Sequence, residues 1–386
     1  MKAGWQIKTL AEVCQIKPPK AEARRNLAET DLVSFVPMEN LGIDQKTFLP
    51  TQTRPLAEVA GSYTYFADGD VLLAKITPCF ENGKLGIATD LINGIGFGSS
   101  EYIVFRPDNS VNKEWLYYFL SRDAFRVEGA ARMSGAVGHK RVAKEFIETC
   151  SIPVPPLPEQ QRIVALLDAA FDDIATAKAN AEKNLQNARA LFESHLQSVF
   201  TERGEGWVET TLDKISTNLD NKRIPITKCD RKSGEYPYYG ASGIVDYVAD
   251  YIFDGDTLLV SEDGANLLAR STPIAFSVSG KYWVNNHAHI LKFADMATQR
   301  FVEFYLSNIR LDEYITGAAQ PKLNQKALNS IPIPIPLDID EQARIVASIE
   351  TLQKESQRLE SLYQQKLAAL DALKKSLLHQ AFSGVL

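Results

Sequence analysis

The sequence predicts a mixed α/β (α+β) protein: two similar mixed α/β domains joined by two long antiparallel coiled-coil helices, with an internal pseudo-two-fold repeat. The first observation behind this prediction is a phrase that occurs twice, EQQRIVA at 159–165 and EQARIVA at 341–347. The second is a series of strand-like segments that occurs before each phrase. The third is a long stretch after each phrase in which apolar residues recur alternately every three and four positions. A sequence unit that occurs twice, each time a globular head followed by a long helix, predicts approximate two-fold symmetry.

Residues 1–150 are predicted to form the first domain. Apolar runs at 70–74 and 101–105 and the glycine-rich stretch 93–98 are bounded by turn residues, which favours strands. Residues 113–125 have helical spacing. The Gly-x-Gly-x-Gly pattern within 93–98 superficially resembles a nucleotide-binding fingerprint. It lacks the spacing to a third glycine and the strand–helix context, so we interpret it as a loop.

Residues 151–203 are predicted to be a proline strap followed by the first spacer helix. Prolines at alternate positions of the strap, 152–158, favour an extended segment that directs the helix after it. A docking site for a proline-recognition module is the alternative. The helix is predicted over 159–200, and its seam residues are Ile163, Leu167, Ala170, Ile174, Ala177, Ala181, Leu185, Ala188, Leu191, His195 and Val199.

Residues 204–338 are predicted to be the second domain and its strap, 331–336, and residues 339–386 the second spacer helix. The helix is predicted over 341–382, and its seam residues are Ile345, Ile349, Leu352, Leu359, Leu362, Leu367, Leu370, Leu373 and Leu377. A helix of about 42 residues spans roughly 60 Å, too long to bury its stripe on one small domain. The two helices are therefore expected to pack along each other, antiparallel.

Composition narrows the class of function. The net charge of the 386 residues is −6, and residues 1–150 carry 18 basic and 18 acidic side chains, which argues against coating nucleic acid by bulk attraction. Any DNA contact must come from local basic patches. The four cysteines are scattered, so we expect reduced packing residues. No apolar run could span a bilayer and no signal peptide is recognisable, so a cytoplasmic location is expected.

Catalytic motifs are missing from the sequence. There is no glycine-rich phosphate loop and no Asn/Asp-Pro-Pro-Tyr/Phe run, and the five histidines are dispersed. The acidic pairs Asp68/Asp70, Asp254/Asp256 and Glu262/Asp263 could bind a metal or form a nuclease centre. The glycine inside the first two pairs favours strand-entry turns instead. We interpret the chain as a binder that holds no metal or cofactor.

Several phrases together resemble one family. They are PLPEQQRI at 156–163, DEQARI at 340–345, the matching openings at 4–10 and 206–212, and YPYYGASG at 236–243. This combination closely resembles the specificity subunit of type I restriction-modification systems. The resemblance implies two target-recognition domains, each reading one half of a bipartite asymmetric site in double-stranded DNA, while the paired helices set the spacing.

The resemblance also implies partners. Two methylation subunits would dock on the helices, translocase-nuclease subunits would complete the restriction enzyme, and no membrane is involved. The assembled complex would use S-adenosylmethionine, ATP and Mg, with none of them bound by this chain, which would be non-catalytic. Two other functions remain open from the residues alone: a coiled-coil adaptor with two protein-binding heads, and a nuclease built on the acidic turns.

Candidate DNA contacts lie in polar loops with cations, amides or hydroxyls. The loops are 75–84 and 134–141 in the first domain, and 262–270 and 317–324 in the second, joined by the aromatic segment 236–242 and a basic run near 222. The candidate residues are Lys75, Thr77, Asn82, Lys84, His139, Lys140, Arg141, Lys222, Arg223, Tyr238, Tyr239, Ser242, Asn266, Arg270, Gln320, Lys322 and Asn324. Ordinary solvated turns are the alternative. Trp5 and Trp207, at equivalent places, are interpreted as structural plugs.

Overall fold

The computed structural model describes residues 4–25, 27–50, 52–136, 138–317 and 319–386. The chain divides into two compact units. Unit 1 comprises Met1–Ala181 and Gln365–Leu386, and unit 2 comprises Glu182–Gln364. Each unit is therefore a globular head together with one end of each long helix.

The strands of unit 1 form two sheets and one separate pair. In chain order they are β1 (Gln6–Thr9), β2 (Cys14–Ile16), β3 (Leu32–Val36), β4 (Thr47–Phe48), β5 (Gln52–Pro55), β6 (Thr64–Ala67), β7 (Val71–Ala74), β8 (Leu85–Ala88), β9 (Ile95–Gly98), β10 (Tyr102–Pro107) and β11 (Ser151–Val154). The first sheet has the order β2-β10-β7-β8-β4, the second has the order β5-β3-β9-β6, and β1 pairs with β11.

The strands of unit 2 repeat this arrangement. They are β12 (Trp207–Thr211), β13 (Ser216–Asn218), β14 (Ser233–Gly240), β15 (Gly243–Val248), β16 (Phe253–Asp254), β17 (Thr257–Ser261), β18 (Ala275–Val278), β19 (Lys281–Val284), β20 (Ala288–Phe293) and β21 (Pro332–Pro336). The sheets have the orders β13-β20-β17-β18 and β15-β14-β19-β16, and β12 pairs with β21. The order matches unit 1 strand for strand, including the parallel pairs β3/β9 and β14/β19. Among the described residues, only β4 has no counterpart in unit 2.

Short helices cover the sheets. They are α1 (Leu10–Val13), α2 (Leu56–Val59), α3 (Lys113–Ser121), α4 (Asp123–Ala131) and α5 (Lys144–Thr149) in unit 1, and α7 (Leu212–Ile215), α8 (Asn266–Ala269), α9 (Met296–Asn308) and α10 (Gln325–Asn329) in unit 2. The helix predicted over 113–125 is therefore two helices. Arg122 between them has extended backbone (φ −66°, ψ 139°), which ends α3 and begins α4.

The long helices α6 (Leu157–Thr201) and α11 (Ile339–Ser383) extend one or two residues beyond the predicted ends. Their antiparallel pairing is confirmed within unit 1, where Lys374 lies over the Phe171 ring and Lys178 Nζ lies 2.7 Å from Asp371 Oδ1. In unit 2, Arg189 Nε lies 2.7 Å from Glu360 Oε2. The Ser356 hydroxyl donates to the Ala188 carbonyl at 2.8 Å.

Three predicted seam residues are wrong. Leu191, Leu362 and Leu373 are 58%, 50% and 45% exposed. A step of three from a seam residue and a step of four are both compatible with the sequence pattern. From Ala188 a step of three reaches the exposed Leu191, whereas a step of four reaches Phe192, which packs against the core of unit 2. The exposed leucines are thus available on the outer surface of the helices.

The prediction that Trp5 and Trp207 are structural plugs is confirmed. Trp5 packs edge-on against Trp115, and Trp207 packs against Phe301. The ends of the long helices complete the same cores. Phe382 contacts Trp115 in unit 1, and its repeat counterpart Phe200 contacts Phe301 in unit 2.

Other expectations have mixed outcomes. The glycine-rich stretch 93–98 contains strand β9, so its prediction as a strand is confirmed and its interpretation as a loop is wrong. A Cβ at Gly96 would lie 2.2 Å from the Phe66 ring, so close packing explains this glycine. Gly69 and Gly255, inside the first two acidic pairs, have φ of +88° and +118° and form the turns before β7 and β17, as predicted. Cys229 is exposed, so it is not a packing residue.

Across the described residues, no helix has an apolar stretch long enough to cross a membrane.

Candidate nucleic-acid interface

The two loops predicted as contacts in unit 1 lie side by side. The Thr77 amide donates to the Lys140 carbonyl, and the Val142 amide donates to the Lys75 carbonyl, both at 2.9 Å. Both hydrogen bonds lie just beyond the end of β7. The fold therefore brings loop 75–84 and loop 134–141 to one surface, with Val137 of the second loop outside the described residues.

The equivalent loops of unit 2 are joined in the same way. The Gly264 amide donates to the Pro321 carbonyl at 3.0 Å, and the Leu323 amide donates to the Glu262 carbonyl at 2.8 Å. These bonds lie just beyond the end of β17, the counterpart of β7. Loops 262–270 and 317–324 thus form a matching surface, with Ala318 outside the described residues.

Four of the seven candidate side chains in unit 1 make hydrogen bonds within the head, and two of them are lysines. Lys75 Nζ donates to the Ser100 carbonyl and Lys84 Nζ to the Met38 carbonyl, each at 2.8 Å. Burial lowers the pKa of Lys75, more than the nearby Glu101 raises it.

Two further candidates in this head pair with acidic side chains. The Thr77 hydroxyl donates to Glu81 at 2.9 Å. Arg141 makes two hydrogen bonds to the Glu101 carboxylate, at 2.7 and 2.9 Å, and this contact lowers the pKa of Glu101.

The remaining candidates in unit 1 are open to solvent. Asn82, His139 and Lys140 have exposed side chains that make no hydrogen bond to other described residues. They are free to contact a ligand without breaking an intramolecular bond.

In unit 2 several candidate side chains make hydrogen bonds within the head. Arg270, in left-handed backbone (φ 51°), donates to the Ile309 carbonyl at 2.8 Å and the Leu306 carbonyl at 3.2 Å. Asn266 bonds the backbone of Thr272, and Asn324 caps α10 by accepting from the Ala327 amide at 3.0 Å.

The aromatic candidates of unit 2 are packed. Tyr238 lies in β14 between β15 and β19, is 1% exposed, and accepts from the Ile226 amide. Tyr239 packs against Phe276 and Tyr282, and burial raises its pKa. The open candidates are Lys222, Ser242 and Gln320, exposed and without a hydrogen bond from their side chains to other described residues. Which candidates contact DNA stays a prediction.

A charged cluster around the buried His289, at the base of the unit 2 loops, was missed by sequence reasoning. His289, 1% exposed, has Nδ1 2.6 Å from Asp220 Oδ2 and Nε2 2.7 Å from the Leu323 carbonyl oxygen. Arg223 Nη1 lies 2.6 Å from Glu262 Oε2 and Lys322 Nζ lies 3.2 Å from Glu262 Oε1. We call these five side chains, His289, Asp220, Glu262, Arg223 and Lys322, the His289 cluster.

Hydrogen bonds within the His289 cluster lower the pKa of its two acids. Burial alone would raise the pKa of Asp220 and Glu262. The net direction is downward for both, because His289 bonds Asp220 and Arg223 bonds Glu262. Arg223 and Lys322, two predicted DNA contacts, therefore have intramolecular roles in this head.

The same cluster has the spacing of a metal site. Ligand atoms of Asp220, Glu262 and His289 lie within 4.8 Å of one another. Yet Arg223 and Lys322 already occupy the carboxylate oxygens of Glu262, and their charges oppose a divalent cation. The geometry is that of an ion-pair network.

Unit 1 contains a different buried ion pair. Arg106 bonds both carboxylate oxygens of Asp70 at 2.7 Å and reaches Glu22 at 2.5 Å. Asp70 is 1% exposed, and burial raises its pKa despite Arg106. This cluster lies at the turn before β7, whereas the loops 75–84 and 134–141 follow the strand.

Comparison with known proteins shows one consistent family. The family model for the type I restriction modification DNA specificity domain matches residues 2–185 and again 204–367. The specificity subunits of the type I restriction enzymes EcoAI and EcoEI of Escherichia coli are 38% and 40% identical over 162 residues. Each match covers 42% of this chain and only 27% of the relative, so the match spans about a quarter of those proteins.

Solved structures share the fold over the whole chain. A chain from a study of complex assembly and conformational transition of the type I R-M system has a TM-score of 0.76 at 18% identity, covering 99% of this chain and 98% of that one. The HsdS subunit from Thermoanaerobacter tengcongensis has a TM-score of 0.68 at 19% identity, covering 100% and 98%. At these identities the likeness concerns the fold.

Proposed function

Because this chain belongs to the family of type I restriction-modification DNA specificity proteins, we propose that it is the non-catalytic subunit that selects the DNA sequence for such an enzyme. Each head reads one half of a bipartite asymmetric site. The observation that carries this proposal is the family match in both halves of the chain, combined with the same pair of neighbouring loops beyond β7 and beyond β17.

Local cations supply the affinity for DNA. Lys140 in unit 1 and Lys222 in unit 2 are exposed and unpaired among the described residues, so they can reach phosphates. The amides and hydroxyls of Asn82, Ser242 and Gln320 can donate to and accept from base edges. A chain of net charge −6 then binds through these patches rather than by its overall field.

The long helices carry two copies of one possible docking surface. Ala190, Leu191 and Ser194 are all exposed, and so are the residues 182 positions later, Ala372, Leu373 and Ser376, which are identical. Identity is not general along the two helices, since Ala188 corresponds to Leu370. Identity at exposed helix positions has no packing reason, and it fits two copies of the same partner, which we take to be the methylation subunits.

The other components follow from this assignment. The methylation subunits would bring S-adenosylmethionine for methyl transfer to adenine, and translocase-nuclease subunits would bring the ATP and Mg chemistry. This chain would hold none of these. The paired helices would set the distance between the two half-sites, and the complex would act in the cytoplasm, where its DNA lies.

Mapping adenine methylation across a genome tests the proposal. Cells with this chain and its methylation partner should methylate a bipartite motif, and cells lacking only this chain should not. Replacing residues 10–150 by the same segment of a relative should change one half of the motif and leave the other intact. Methylation that persisted unchanged without the chain would refute the proposed function.

A further inference from the structure

Both ring nitrogens of His289 face hydrogen-bond acceptors. The Leu323 carbonyl oxygen, 2.7 Å from Nε2, can only accept. Asp220 Oδ2, 2.6 Å from Nδ1, belongs to a carboxylate whose other oxygen accepts from the Ile290 amide. Two acceptors require two ring protons, so the ring is an imidazolium.

The charges around the ring are consistent with that state. Asp220 and Glu262 face it, at 2.6 and 3.9 Å from Nδ1. Arg223 pairs with both carboxylates, and Lys322 pairs with Glu262. The neighbouring Asp263 pairs with His287 at 2.8 Å, outside the buried cluster.

The ring fixes a loop that carries candidate DNA contacts. Leu323 is fully buried, and both of its backbone polar groups are bonded: the amide to the Glu262 carbonyl and the carbonyl to His289. Lys322 is bonded to Thr316 through its amide and its carbonyl, at 2.8 and 2.9 Å. Through Nδ1 the ring also bonds Asp220, which lies two residues before the candidate DNA contact Lys222.

A neutral ring could not donate to both the Leu323 carbonyl and the Asp220 carboxylate. It has one N–H, so either the Leu323 carbonyl or Asp220 would lose its donor, and a buried acceptor without a donor is costly. Loss of one ring proton would therefore break either the hydrogen bond from Nε2 to Leu323 or the one from Nδ1 to Asp220.

We propose that His289 is a positioning residue: as a buried imidazolium it holds loop 319–324 in place, so that recognition of the half-site read by unit 2 weakens at alkaline pH while the half-site read by unit 1 does not. The proposal rests on the proposed function of the heads. At the matching place in β10, unit 1 has Ile103, which lies opposite Leu73 of β7 as His289 lies opposite Val260 of β17.

Two variants separate the ring's charge from the ring's presence. In Asp220→Asn the side-chain oxygen can still accept from Ile290, while its NH₂ donates to Nδ1, which leaves Nε2–H for Leu323. This variant should keep the loop in place with a neutral ring and abolish the pH dependence. His289→Gln cannot bridge both partners and should leave the loop loose at every pH.

The first measurement needs no DNA. Amide hydrogen exchange of the full-length chain between pH 6 and 9, corrected for intrinsic rates, should show protection of 319–324 falling about ten-fold in the native protein. Protection should stay flat and high in Asp220→Asn, and flat and low in His289→Gln. The variant His287→Gln should behave like the native protein. Protection that does not change with pH in the native chain would overturn the proposal.

The second measurement uses the complex with its methylation partner. Discrimination against a mismatch in the unit 2 half-site should fall with pH in the native complex and stay constant in Asp220→Asn. Discrimination at the unit 1 half-site should be constant in both. If DNA is recognised but both half-sites respond to pH alike, the positioning role is wrong. If the exchange result holds and no half-site is recognised, the proposed function is wrong instead.

Discussion

In unit 1 the loop that carries Lys140 is tied down by an exposed ion pair, whereas in unit 2 the loop that carries Lys322 is tied down by buried charges. The side chains of Arg141 and Glu101 are 47% and 22% exposed, while His289 and Asp220 are 2% and 9% exposed. The backbone hydrogen bonds between the loops are the same in both heads. Backbone pairing thus sets where the loops lie, and the side chains around them set how firmly they are held.

The largest difference should appear in stability. Arg223→Ala removes the closer of the two cations that pair with Glu262 and a neighbour of Asp220, and losing one member of a buried ion pair costs about 3–5 kcal/mol. Arg141→Ala in unit 1 should cost far less, because exposed ion pairs contribute little. Denaturant titration followed by hydrogen exchange of each head measures both losses. Equal losses in the two heads would show that the contrast in burial has no energetic meaning.

A smaller effect should be shared by both units. A charge at Leu191 or at Leu373 should remove one of two bound methylation subunits, weakening that site by roughly ten- to a hundred-fold, since an apolar contact residue is replaced. The double variant should bind none. Native mass spectrometry of the reconstituted complex gives the stoichiometry.

Leu362→Glu is the matched control for these variants. It is an exposed leucine on the same helix, 50% exposed, but its repeat counterpart at position 180 is an asparagine. The stoichiometry should be unchanged in this variant. If Leu362→Glu lost a partner and Leu191→Glu lost none, the repeated surface would not be the docking site.

The smallest effect concerns salt. Lys140→Ala in unit 1 and Lys222→Ala in unit 2 should each lower the salt dependence of DNA binding by about one unit of slope and weaken all sequences alike. Arg141→Ala should change the slope less, because Glu101 already neutralises Arg141. Binding isotherms from about 50 to 200 mM salt test this. A larger change for Arg141 than for Lys140 would mean that the ion pair opens on DNA.

Repeats and periodicity predicted the architecture because both signals are local in the sequence. The phrases at 159–165 and 341–347 begin helices that extend within two residues of the predicted ends. The buried glutamines explain part of the repetition: Gln160 and Gln342 each donate to the carbonyl of a strap proline, Pro155 and Pro336, at 2.7 Å. The proline straps are strands β11 and β21, each pairing with the first strand of its head.

The candidate site was only partly predictable. Loops 75–84 and 134–141 were identified by residue type, and the fold places them together. The His289 cluster was missed because its members lie far apart in the sequence, and a strand histidine beside Ile290 and Leu291 carries no sign of its partners. Tyr238 was chosen as an aromatic in a polar phrase, but a central strand buries it. Which side chain faces outward depends on sheet order, which residue type does not reveal.

The division of the chain into units also fixes the order in which the heads can be completed during synthesis. Unit 2 is one continuous segment, Glu182–Gln364, so it can fold as soon as it has left the ribosome. Unit 1 needs Gln365–Leu386, including Phe382 in its core, and these residues are translated after the whole of unit 2. The core of unit 1 therefore stays incomplete until the part of α11 that follows unit 2 has been synthesised.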